Sequence, residues 1–197
     1  MKFENNRGST IIELLAAVFV LSVALVGALA LTTSNLQSQG MGNARLVAVN
    51  LAREGVELAR AIRDSNWLAS EPWDKGLVST TNKSCAVLPL GTSSFTFLSD
   101  TLCDSAISDP SYQMYRDDNE RYYQVAAEGS ADGVPFMYRR TTFQAICLID
   151  ATETVSANNA CDVGASKIGT QVIAEVSWNY SGQTSATKVV EKLYNWR

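Results

Sequence analysis

The sequence predicts an α+β fold in which one long N-terminal helix packs against a C-terminal antiparallel β-sheet head. Three observations lead there. No proline occurs between Met1 and Ser70, and Leu14 to Leu31 is apolar except for Ser22 and Gly27. The following stretch keeps an apolar stripe at helical spacing, and the residues beyond Pro110 are β-branched, aromatic and alternating.

Composition limits what such a chain can do. Its 197 residues suit one domain with an appendage, and about 160 remain for a core once the apolar run is set aside. Sixteen Lys and Arg against 20 Asp and Glu give a net charge of -4, so no general nucleic-acid binding is expected. The chain has no histidine, which removes the commonest general base and the imidazole metal ligand. With no G-x-S-x-G and no carboxylate pair placed by a motif, a hydrolase is disfavoured and no catalytic, cofactor or metal residue is assigned.

The elements follow in order. Leu14–Leu31 is long enough to cross most of a bilayer's hydrocarbon core. Thr32 to Ala44 is polar and uncharged, with Gly40 and Gly42 as weak points, and reads as helix or linker. From Arg45 to Asn66, Val49, Ala52, Val56, Ala59 and Ile62 form one stripe, with Arg53–Glu57 and Arg60–Asp64 as weak pairs outside it. The simplest reading is one helix from about Ser9 to about Asn66, roughly 85 Å at the standard rise. Leu68 to about Asp109, punctuated by Pro72 and Gly76, reads as a connecting region with one short strand at "SFTFL". Four strand segments follow: "RYYQVAAEG", "PFMYRRTTFQAICLI", "QVIAEVSWNY" and "ATKVVEKLYNW". In the third, Val172, Ala174, Val176, Trp178 and Tyr180 share a face opposite Gln171, Glu175, Ser177 and Asn179, and that face needs a cover. "YSGQT" is a tight hairpin at Ser181 and Gly182, whereas the polar excursion "ATETVSANNACDVGASKIG" shows no periodicity. Packing the sheet on the helix stripe satisfies both apolar surfaces.

Charges beside the apolar run set a topology. Lys2 and Arg7 precede it and the first charge after it is Arg45, so the positive-inside bias places the N-terminus in the cytoplasm and exports the rest. Cys85, Cys103, Cys147 and Cys161 then lie on the exported side, where disulfides persist. No C-x-x-C or clustered spacing favours zinc. Sequence order favours Cys85 with Cys103 and Cys147 with Cys161, each adding about 3 kcal/mol by loop closure, though two other connectivities exist.

Glu13 stands at the start of the apolar run, where a carboxylate is costly. Gly8, then Ser9, Thr10, two isoleucines and Glu13 as the fifth residue after the glycine, then a membrane-length apolar run, resembles the prepilin signature of type IV pilins and of the pseudopilins of type II secretion. "LAREGVELARAIRDSNW" is similar to the exported helix of minor pilins. The resemblance implies a pilin-like fold and a structural subunit of a type IV pilus-like filament, a minor pilin or a pseudopilin. It also implies that prepilin peptidase cuts between Gly8 and Ser9 and methylates the new terminus, and that Glu13 pairs with the terminal amine of an adjacent subunit. Residues 1–8 would be the leader, 9–36 the transmembrane and filament-core helix, 37–66 the amphipathic half, and 67–197 the exported head. Implied partners are the peptidase, other pilin subunits, the inner-membrane assembly platform, and membrane lipid before assembly. The chain carries Ser9 where the family most often has Phe or Met, Gly27 where many members have a mid-helix proline, and two strands after Cys161 where the family often ends in a cysteine-bounded loop.

The residues alone leave other readings open. Glu13 would also serve as an interfacial carboxylate that reaches the headgroups. Ala28-Leu29-Ala30 matches a signal-peptidase pattern, against which stand an apolar region longer than usual and its acidic start. "RDDNE" at Arg116–Glu120 is acidic enough to raise a calcium site but lacks EF-hand spacing. Trp67, Trp73, Tyr112, Tyr115, Tyr122 and Tyr123 either line a ligand site or pack the sheet. A single-pass, membrane-anchored binding protein that keeps Met1–Gly8 is the alternative function.

Overall fold

A computed structural model of the chain describes residues 7–79, 83–89, 94–116, 122–124, 133–157 and 159–196. The N-terminal helix α1 spans Arg7–Leu68 and includes the Thr32–Ala44 stretch. Eight strands follow: β1 Cys85–Val87, β2 Thr96–Phe97, β3 Gln113–Arg116, β4 Tyr122–Gln124, β5 Gly133–Ile149, β6 Thr152–Val155, β7 Ser166–Tyr180 and β8 Gln183–Tyr194. A short helix α2, Asp100–Cys103, lies between β2 and β3. The chain divides into two compact units, Met1–Asn43 and Ala44–Arg197.

In the first unit every described side chain from Thr10 to Gln39 is exposed. Its hydroxyls do not disturb the helix because they turn back on it: Ser22 donates to the Phe19 carbonyl at 2.8 Å and Thr32 to that of Ala28 at 2.9 Å. Such back-bonding satisfies a polar group within its own helix, which an apolar environment requires.

The second unit is a helix laid on a sheet. Ala48, Leu51, Ala52, Val56, Ala59 and Ile62 of α1 are buried against Phe143 of β5, Val172, Ala174, Val176 and Trp178 of β7, and Leu193 of β8. Burying a side chain such as Leu51, Val56 or Ile62 contributes about 1.5–3 kcal/mol. Val49, expected within the stripe, is only partly buried, and Ala48, one position before it, and Leu51, two after it, take its place. Gly55 shows why small residues alternate along this face: a Cβ there would lie 3.2 Å from Thr141 Oγ1 and 3.3 Å from Ala174 Cβ, so helix and sheet approach to near contact.

β5 organises the sheet. β7 runs antiparallel along one of its edges from Met137↔Trp178 to Leu148↔Ser166, and β8 continues outward from β7. β3, β1 and β6 also pair antiparallel with β5, with β2 beyond β1 and β4 beyond β3. On the opposite face a smaller core of Cys85, Val87, Leu98 and Tyr112 packs with Tyr138 and Cys103.

Several local expectations change. The Leu68–Asp109 region holds β1 and α2 in addition to the strand near "SFTFL", which shortens to β2. β1 is three residues long and buried throughout, so it carries no alternation for a pattern to register. The polar excursion after Ile149 holds β6 and the first residues of β7. Its hairpin turn carries no sequence signal, because Asp150 (φ 46°) and Ala151 (φ 66°) supply the paired positive φ values that Asn-Gly usually supplies. The turn at Ser181 (φ 50°) and Gly182 (φ 80°) follows the expected pattern, with Tyr180 paired to Gln183 across it. Ala151 carries a Cβ in the left-handed region, at a cost of roughly 1–2 kcal/mol. Ala151→Gly is therefore expected to stabilise the head by about 1 kcal/mol, read as a higher denaturant midpoint with unchanged slope.

Candidate assembly site

Leu14 to Leu31 carries a run of exposed large apolar side chains, including Leu14 at 65%, Phe19 at 69% and Leu31 at 69% exposure, with Leu36 beyond it. Among the described residues this helix is the one long and apolar enough to cross a membrane, with a mean hydropathy of 2.8 over its best window and none of that window buried. An apolar surface this extensive marks a site of contact with lipid or protein.

Glu13 sits at the start of that surface, exposed, on the helix. Gly8 and Ser9 lie in the first turns of α1, and at helical pitch Glu13 follows Ser9 by one turn, about 6 Å along the axis. An amine at Ser9 and a carboxylate at Glu13 are therefore offset by one turn, so two parallel helices staggered by that amount bring one group against the other. The first six residues of the expected leader lie outside the described residues.

The head is braced by two disulfides, Cys85–Cys103 and Cys147–Cys161, the two pairs that close the shortest loops. The first ties α2 to β1; the second ties the end of β5 to the segment leading into β7.

The least expected group is Arg139, fully buried in β5 beneath α1. Its Nη1 lies 3.4 Å from Glu54 Oε2 and donates to the Leu51 carbonyl at 3.3 Å, while its Nε donates to Gln124 Oε1 at 3.2 Å. Gln124, also buried, returns its amide to the carbonyls of Arg139 and of Tyr112. Burial pulls the guanidinium below its ordinary pKa, and Glu54 pushes back; it nonetheless starts so high that the charge persists at neutral pH. The signal for this residue was present: "RR" within a strand must place one arginine on each face, and one face is covered.

The expected pairs Arg53–Glu57 and Arg60–Asp64 give way to others. Arg60 binds Glu57 at 2.7 Å and reaches Glu191 of β8, Asp64 pairs with Arg63, and Glu54 turns to Arg139. The sheet supplies partners that a lone helix lacks.

The aromatic residues do not assemble into one ligand site. Tyr112 is buried in the smaller core, Tyr115 and Tyr123 stack at 5.9 Å across β3 and β4, Trp67 meets Trp196 edge to face at 4.5 Å, and Trp73 lies beneath the Lys167 ammonium. Of "RDDNE", Arg116 ends β3 and the rest lies outside the described residues. Among the described residues no cluster of three or more Cys, Asp or Glu could hold a metal ion.

Compared with protein-family profiles, curated proteins and solved structures, the chain matches none.

Proposed function

We propose that the chain is a structural subunit of a type IV pilus-like filament, a minor pilin or a pseudopilin, cut between Gly8 and Ser9 and assembled through the apolar half of α1. One observation carries the reading. A glycine followed at an offset of five by a glutamate opens an exposed apolar helix, and the same helix goes on to form the buried backing of a disulfide-braced antiparallel head. An exposed apolar helix needs lipid before assembly and neighbouring helices after it. The buried half, from Ala48 to Ile62, is part of the head's own core.

In this reading the account of Glu13 is electrostatic. A carboxylate among packed apolar helices must be matched by a cation within about 4–6 Å. Cleavage creates one, the amine of Ser9 on a neighbouring subunit, and removes Lys2 and Arg7 from competition. Glu13 then sets the stagger between helices.

Blocking the cut tests this. Gly8→Trp is expected to leave the head folded and the chain in the inner membrane as uncut precursor, with no subunit in material sheared from the cells. Gly8→Trp protein that reaches sheared filaments would show that assembly does not need the cut, and a wild-type chain that is never shortened would favour the membrane-anchored binding protein instead.

A further inference from the structure

Three side chains from distant parts of the head converge where the turn after α1, the segment after β6 and the start of β7 meet: Asp74, Asn159 and Lys167. The Lys167 ammonium donates to Asp74 Oδ2 at 3.0 Å and to Asn159 Oδ1 at 3.2 Å. One nitrogen thus touches a carboxylate and a carboxamide.

Each group is held from behind. The Asn66 side chain, near the end of α1, donates to the Trp73 and Lys75 carbonyls at 3.1 and 2.7 Å, which fixes the turn that carries Asp74. Asn159 is buried, and its amide nitrogen donates to the Leu77 carbonyl at 3.1 Å, so its carbonyl end is the one that faces Lys167. Lys167 pairs with Cys147 across the β5–β7 ladder, and Cys147 is bonded to Cys161, two residues beyond Asn159. The disulfide therefore brings the carboxamide to the amine. The Trp73 ring centre lies 5.3 Å from Lys167 Nζ, and the Lys167 and Asp74 side chains are only 20% and 22% exposed. An ion pair requires Lys167 and Asp74 alone; Asn159 adds an electrophile within reach of the same nitrogen. A carbonyl carbon lies about 1.2 Å from its oxygen, so Nζ is within about 4.4 Å of Asn159 Cγ, and a small turn of the lysine stem closes this to the roughly 3–3.5 Å of a reacting pair.

We propose that Lys167 and Asn159 join in an intramolecular isopeptide bond, with Asp74 as the proton acceptor. The Lys167 ammonium passes a proton to the Asp74 carboxylate, and the freed amine attacks Asn159 Cγ to form the new N–C bond. The bond from Cγ to Nδ2 then breaks. The leaving nitrogen takes one proton from the attacking amine and one from the Asp74 carboxyl, so ammonium departs and Asp74 is a carboxylate again. Nothing is oxidised or reduced. Amide exchange is slow between free molecules, but partners held in place react at effective molarities of roughly 10⁵–10⁸ M, and each chain needs a single turnover. The bond lies within the head and does not rest on the filament reading, since a membrane-anchored binding protein would carry the same three residues.

Mass spectrometry of the full chain, purified in detergent, reduced and digested with trypsin, tests the proposal. Lys167 in an isopeptide bond resists trypsin, so the expected peptide runs from Thr141 through Lys167 to Lys188 and is lighter than its sequence by one ammonia, about 17 Da. Fragmentation should give no backbone breaks that separate Asn159 from Lys167. Lys167→Arg keeps a cation beside Asp74 but has no amine to attack, and its peptides should carry their full mass. Asp74→Asn should lower the cross-linked fraction about tenfold or more. A wild-type peptide that ends at Lys167 with its full mass would overturn the proposal. So would loss of ammonia that leaves Lys167 open to trypsin, which marks a succinimide at Asn159, or loss of water with Lys167 joined to Asp74. Undiminished cross-linking in Asp74→Asn would overturn the step as written.

Discussion

Glu13→Leu subunits are expected to insert, to be cut after Gly8 and to fold their heads normally, yet to fall about a hundredfold in abundance in sheared filaments relative to wild type. The magnitude follows from the cost of an unmatched charge. On the proposed reading the Glu13 carboxylate meets a neighbour's Ser9 amine in the wild-type filament, and in the variant that amine faces leucine. Stranding an ion among packed apolar helices costs roughly 2.5–3.5 kcal/mol on membrane insertion scales, which is about a hundredfold in incorporation. Leucine is the sharper substitution because it makes the helix a better membrane span, so poor insertion cannot explain the loss. Glu13→Ala should behave similarly. Recovery of Glu13→Leu subunits at the wild-type ratio would reduce Glu13 to an interfacial carboxylate.

Arg139→Ala is expected to destabilise the head by about 3–5 kcal/mol, because it opens a cavity under α1 and leaves Gln124 without one of its partners. Arg139→Met should cost much less, within about 1 kcal/mol of wild type, since a linear apolar side chain fills the same space and removes the desolvated charge. Glu54→Ala keeps the charge and removes its partner. It leaves the guanidinium buried with two long hydrogen bonds, to Leu51 and Gln124, and should cost about 1–2 kcal/mol, reduced from the fully buried case because the Glu54 side chain is 44% exposed. In the double variant Glu54→Ala with Arg139→Met, that cost should largely disappear. Denaturant melts on the four proteins measure this cycle. If Arg139→Met loses as much as Arg139→Ala, the charge itself, and not the packing of its stem, holds the helix to the sheet.

Long periodic elements were legible in the sequence and short ones were not. The extent of α1 followed from an unbroken absence of proline and a stripe at steps of three and four, and the Gly40 and Gly42 penalties were too small to interrupt it. β7 and β8 were legible because Val172, Ala174, Val176 and Trp178 alternate cleanly and Ser181-Gly182 is a recognisable turn. β6 was hidden because its turn uses Asp150-Ala151, and because all four of its residues are exposed, so no apolar face marks it. The ion pairs on α1 differ from those that helix spacing alone predicts because the sheet competes for Arg60 and Glu54. Of the candidate site, Glu13 and Gly8 are legible as a spacing, whereas the partners of Arg139, Glu54 and Gln124, are far apart in sequence and are set by how helix and sheet pack.

The most direct measurement of the central claim is intact mass and terminal-peptide mass spectrometry of the chain recovered from cells expressing it at native level. Processing as a filament subunit predicts a mature chain that starts at Ser9 with an N-methyl group and carries both disulfides. A chain that still begins at Met1, or one that begins at Leu31 after removal of a secretory signal, would contradict it.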